Sequence, residues 1–181
     1  MSMLGDATSG EMAAGWHAVF FPFPAQGHVA PALRLAKLLH VLGGVRITFV
    51  HTERNLRRLI RSGGPATVAG APGFRFVSVP DGLPQPLSDE DEDDHSPQHI
   101  AALLLSLEAS VPRLRNHLYD AAADGVRATC VVSDIECVLR FAKDEARLPA
   151  VAFWVMSACS LMAALHLKKL VDKGFVPLKG K

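Results

Sequence analysis

The chain has 181 residues, of which 49% are hydrophobic and 20% charged. A chain of that length and apolar content has enough residues for one domain with a core, burying roughly 70% of the surface its unfolded form exposes, and it is not a disordered polymer. A net charge of +1 excludes the basic footprint of a nucleic-acid or anionic-membrane partner.

Residues 1–15 are small and polar, with neither a basic stretch nor a long apolar run. They read as a loose tail without a signal peptide, and residues 16–181 as the folded unit. Trp16 to Phe21 is a continuous apolar run, the pattern of a parallel strand covered on both faces. Pro31 is placed as the first residue of the following helix. Leu35, Leu38, Leu39 and Leu42 form its helical stripe, and Gly43-Gly44 its stop. Val45 to Val50 is a β-branched second strand. Asn55 to Arg61 is a short basic helix ending at Gly63-Gly64, and Phe74 to Val79 a third strand.

A proline-containing loop then carries the acidic run Asp89 to Asp94. Its spacing matches no calcium loop, and it reads as solvated polarity. Ser96 and Pro97 form an N-cap and N1 pair. Ile100, Leu103, Leu104, Leu107, Val111, Leu114 and Leu118 follow at helical spacing, with Pro112 as a point of kinking. "ATCVVSD" is a fourth strand ending at Asp134, Glu136 to Arg147 a helix, and "PAVAFW" a fifth strand. Ser157 to Lys173 is a last helix capped by Gly174. The uncharged stretch from Ala150 to Leu165 is sixteen residues, short of the ~20 a bilayer span requires, and reads as a buried strand entering a buried helix. Strands alternating with helices define an α/β fold: a Rossmann-like, doubly wound parallel sheet with helices on both faces.

The three cysteines, Cys130, Cys137 and Cys159, are odd in number and show no CxxC spacing. They argue for a reducing, cytoplasmic setting and against a complete disulfide framework. No GxGxxG follows the first strand, since "FPAQGH" holds one glycine, and GxxxxGK[ST] and GxSxG are also missing. No cofactor or metal site is read from these spacings.

In an open α/β sheet, ligands bind beyond the carboxyl ends of the strands. The residues placed there are Gln26, Gly27 and His28 after strand one, His51, Thr52 and Glu53 after strand two, Asp134 after strand four, and Trp154 to Ser157 after strand five. A histidine with a carboxylate at its far nitrogen is a general base for a hydroxyl, a role contributing typically ~10²–10⁴-fold. From spacing alone two readings stand side by side. His28 is either a structural turn residue or such a base, and Asp134 either the N-cap of the next helix or its partner.

The stretches "FPFPAQGHVAPALRLAKLLH", "ITFVHTERNLRRLIRS", "GFRFVSVPDGLP", "CVVSD", "PAVAFW", "SAC" and "LVDKGFVPLK", in this order, closely resemble the N-terminal half of the plant UDP-dependent glycosyltransferases. The resemblance spans Trp16 to Lys179. It implies a GT-B architecture, in which this half holds a small hydroxylated acceptor and a second domain holds the UDP-sugar as co-substrate. The implied reaction is inverting transfer of a sugar, glucose by expectation, to a flavonoid, another phenolic or a terpenoid, without metal. The family's base falls on His28 and its carboxylate partner on Asp134. Gln26, Gly27, Trp154 and Ser157 fall on the substrate-binding rim.

Two departures from the family pattern stand out. "FWVMSA" puts Val155 and Met156 where the family has Thr or Ser, and Arg147 in "EARLPAV" stands where the family has glycine, which strains the helix end if that residue is left-handed. With no donor-domain signature in these residues, the chain alone is expected to be inactive. The alternative expectation is a non-catalytic binding or interaction module.

Overall fold

A computed structural model describes residues 15–80, 97–119 and 126–177. The reading of residues 1–14 as a tail, the acidic run and the Ser96 cap lie outside them. In chain order the elements are β1 (His17–Phe20), α1 (Gln26–Gly43), β2 (Arg46–Thr52), α2 (Glu53–Gly63), a 3₁₀ turn (Pro65–Val68) and β3 (Phe74–Val79). Then come α3 (Pro97–Tyr119), β4 (Cys130–Ser133), α4 (Glu136–Asp144), β5 (Ala150–Ala152), α5 (Ala158–Leu165) and α6 (Leu167–Asp172). The five strands form one parallel sheet in the order β3-β2-β1-β4-β5. The α/β, doubly wound architecture expected from the sequence is therefore the one observed.

Each buried strand sends alternate side chains to opposite faces. Val19, Phe21, Val50, Val79 and Val131 face one side and pack with Leu107, Val111, Leu114 and Leu118 of α3 and Val138 and Phe141 of α4. Ala18, Phe20, Ile47, Phe49, Phe74 and Val132 face the other and pack with Val29, Ala32 and Ala36 of α1. β1 is central and fully buried, as its apolar run predicts.

Five expectations are corrected. Helix α1 begins at Gln26, so Pro31 lies inside it rather than at its first position. The N-cap is Ala25, whose side chain makes no cap bond, so no Ser, Thr, Asp or Asn marks the start in the sequence. The face of α1 that meets the sheet centres on Val29, Ala32 and Ala36; of the leucine stripe, Leu35 and Leu39 pack partly buried against it, while Leu38 and Leu42 are exposed. Small side chains let the helix approach the sheet and leave those leucines on the outer side.

His51 and Thr52 are not loop residues. They end β2 and are buried, because β2 runs two residues further than its β-branched core suggests. The stretch from Ala150 to Leu165 is a strand and a helix, but neither is buried. β5 is an edge strand, and Val151, Met156, Met162 and Leu165 are exposed. The expected single last helix is two helices, α5 and α6, divided at His166.

Two left-handed residues end helices. Gly44 closes α1 with φ 60° and returns its N–H to the His40 carbonyl at 3.1 Å, as the Gly-Gly signal predicts. Arg147 follows α4 with φ 56°, so the arginine does occupy a left-handed position.

Candidate active site

The order β2-β1-β4 makes the gap between β1 and β4 the topological switch point. The chain leaves β1 toward the α1 face and leaves β4 toward the α4 face, so a crevice opens at the carboxyl ends of these two strands. Their register, Val19 opposite Val131 and Phe20 opposite Val132, brings the two exits level.

His28 stands in the first turn of α1 and Asp134 directly follows β4. His28 Nδ1 hydrogen-bonds Asp134 Oδ2 across 106 residues of sequence. A carboxylate oxygen accepts, so Nδ1 donates and Nε2 is left with its lone pair. The pair is asymmetric in exposure: the His28 side chain is 27% exposed and that of Asp134 is 6%. Asp134 is not the N-cap of α4; that position is Ile135, which makes no side-chain cap bond.

Two further groups complete the geometry, and neither was singled out from the sequence. The Phe23 amide donates to Asp134 Oδ1 at 2.7 Å, and the Phe23 ring lies 5.2 Å from the His28 ring, tilted by 60°. The Ser133 hydroxyl donates to the Phe21 carbonyl at 2.6 Å and accepts the Ile135 amide at 3.1 Å. A Ser-Asp pair at a strand end was the signal available for the second. Beside Asp134, a shallow apolar notch is lined by Phe20, Pro22, Ala32, Val132 and Phe153.

The other rim residues divide. Gln26 and Gly27 are exposed on the first turn of α1, next to His28, and a Cβ at Gly27 would meet nothing within 4 Å. Trp154 and Ser157 lie at the head of α5 and bond locally there. The Trp154 indole N–H donates to the Ser157 carbonyl and to Ser160 Oγ, both at 3.2 Å, and Ser157 Oγ caps α5 by accepting the Ser160 amide.

His51 is apart from the site. It lies between Phe49 (4.9 Å) and Phe76 (5.7 Å, 12° between planes), and its Nδ1 accepts from Asn55 Nδ2 at 3.3 Å. Burial pushes its pKa down to about 4. His17 is lowered as well, first by burial and then by the Arg75 and Arg46 charges, against the raising effect of its bond to the Val126 carbonyl. Burial raises the Cys130 and Cys137 thiols, which makes both poor nucleophiles. Among the described residues no group of three His, Cys, Asp or Glu could hold a metal ion, and no helix is long and apolar enough to cross a membrane.

The five-stranded sheet and its helices share the fold of part of a solved glucosyltransferase. The structure of a UDP-glucose:anthocyanidin 3-O-glucosyltransferase bound to UDP superposes with a TM-score of 0.67 over 92% of this chain and 35% of its own, at 24% identity. In sequence the chain is a relative of the plant UDP-glycosyltransferases. It is 43% identical to linamarin synthase 1 of Manihot esculenta over 173 residues, which are 90% of this chain and 33% of that protein. It is 39% identical to 7-deoxyloganetin glucosyltransferase of Catharanthus roseus, over 97% of this chain and 36% of that protein. The chain thus spans about a third of the length of the curated relatives it matches. No family model matches it.

Proposed function

We propose that this chain forms the acceptor side of a UDP-sugar-dependent transferase that glycosylates a hydroxyl of a small metabolite. The observation that carries this reading is the His28–Asp134 pair at the switch point, with one imidazole nitrogen bonded to the carboxylate and the other free. His28 Nε2 takes the proton of the acceptor hydroxyl. The oxygen attacks the anomeric carbon of the sugar, the bond from that carbon to the diphosphate breaks, and UDP leaves with inversion. Asp134 holds the imidazole in the required tautomer and stabilises the imidazolium that forms.

Gln26 and Gly27, exposed on the same first turn of α1 as His28, are assigned to the acceptor. Trp154 and Ser157 form a pinned platform at the head of α5 and are assigned to the substrate rim. The names of the relatives and of the superposed structure support a hydroxylated small molecule as acceptor and glucose as the sugar. The resemblance assigns the donor to the part of the longer relatives that this chain does not match, and on that reading the 181 residues alone are expected not to transfer sugar.

A chimera tests the reading. The matching third of linamarin synthase 1 is replaced by this chain and assayed with labelled UDP-glucose and a panel of small hydroxylated acceptors. Transfer is expected, with His28→Ala reducing it by ~10²–10⁴-fold. A His28→Ala chimera that keeps its activity within a few-fold overturns the assignment. Turnover by the isolated chain above its own His28→Ala control overturns the claim that it is inactive alone.

A further inference from the structure

We propose that Ser133 is a positioning residue that holds Asp134 against His28. The inference rests on the His28–Asp134 reading above and extends it to a side chain that touches neither residue's polar atoms. Ser133 is the last residue of β4 and is 2% exposed. Its hydroxyl joins the two segments that make the site. As a donor it bonds the Phe21 carbonyl, at the exit of β1, at 2.6 Å; as an acceptor it takes the Ile135 amide at 3.1 Å.

The second bond closes a turn around Asp134 with a side chain in place of backbone. The first ties that turn to the segment whose Phe23 amide bonds Asp134 Oδ1. Backbone pairing at this point is sparse: Phe21 donates its amide to the Val132 carbonyl at 3.0 Å, and the β1–β4 register ends with Phe20 opposite Val132. Past that point, the Ser133 hydroxyl and the Asp134 carboxylate connect the two exits. Without the hydroxyl, the Asp134 turn and the Phe21–Phe23 segment lose their common anchor, and the carboxylate is free to swing from the imidazole. A hydroxyl with one donor and two acceptor sites can serve both partners at once.

The tautomer of His28 separates positioning from mere stability. Long-range ¹H–¹⁵N NMR on the 181-residue chain reads which ring nitrogen carries the proton. The wild type is expected to show a single Nδ1–H form for His28, and Asp134→Ala a mixture of both. Ser133→Ala is expected to lose the single form as Asp134→Ala does, while His17 and His40, whose Nδ1 atoms bond the Val126 and Val45 carbonyls at 3.0 Å, keep theirs. Ser133→Thr, which retains the hydroxyl, restores the signal.

If Ser133→Ala does not fold, Ser133→Cys carries the test, because a thiol fills the place of the hydroxyl and donates only weakly. A Ser133→Ala or Ser133→Cys chain with the wild-type His28 tautomer overturns the proposal and leaves the pair intact. A wild type without the Nδ1–H form, or an Asp134→Ala chain that keeps it, overturns the pair and the Ser133 assignment together.

Discussion

Protonating His51 should destabilise this chain. The imidazole is 1% exposed, between two phenyl rings, and its one hydrogen bond uses Nδ1 as an acceptor for Asn55. An imidazolium there would be stripped of water, which is why the pKa falls from 6.5 to about 4. The sign follows from which state binds the proton. The native protein keeps His51 neutral, and the unfolded chain takes up a proton below 6.5. The contribution of the neutral imidazole is therefore whole above pH 6.5, falls as the pH drops below it, and is lost near pH 4. At 1.36 kcal/mol per pKa unit, the loss is about 3 kcal/mol, a large part of the ~5–15 kcal/mol that holds a domain folded.

The assay is urea unfolding of the wild type and His51→Phe at pH values stepped from above 6.5 to about 4. Phenylalanine keeps the stacking on Phe76 and does not titrate. Its lost bond to Asn55 shifts the variant by a constant amount at every pH. His17, also lowered by burial, titrates in both proteins and cancels in the difference. Relative to the variant, the wild type should lose about 3 kcal/mol across that range. A difference between the two that stays within about 0.5 kcal/mol at all pH values would refute the reasoning.

Arg147 is left-handed with φ 56°. Arg147→Gly should raise stability by about 0.5–1 kcal/mol, since glycine removes the Cβ clash but gives back some unfolded-state entropy. A lower urea midpoint at unchanged slope would count against this. Thr48 Oγ1 donates to His17 Nε2 and accepts from Arg75 Nε, both at 2.8 Å, tying β1, β2 and β3 together. Thr48→Val keeps the shape, strands both partners and should cost about 2 kcal/mol, which Thr48→Ser should restore. A loss below about 0.5 kcal/mol in denaturant titrations would contradict the network.

Much of the fold was legible in local signals. The central strand β1 is a continuous apolar run, β3 matches its predicted bounds, and Gly44 ends α1 because a left-handed cap there requires no side chain. Of the predicted stripe in α3, Leu103, Leu107, Val111, Leu114 and Leu118 face the core, whereas Leu104 is exposed. At Arg147 the glycine of the family pattern raised the question of a left-handed residue, and φ 56° answers it. The start of α1 was not, because Ala25 carries no capping side chain. The burial of His51 was not either, since a histidine at a strand end looks the same in sequence whether it meets solvent or two phenyl rings.

The sequence by itself determined the alternation of strands and helices and placed His28 and Asp134 after strands one and four. Periodicity and chain breakers are local, and a parallel sheet puts every strand's carboxyl end on the same rim. Only the tertiary structure decided that β1 and β4 are neighbours, and so that residues 106 apart share a hydrogen bond. It also made β5 an exposed edge and joined the two strand exits through Ser133. Strand order depends on which sheet edge each crossover packs against. That is a sum over long-range contacts, and no window of sequence contains it.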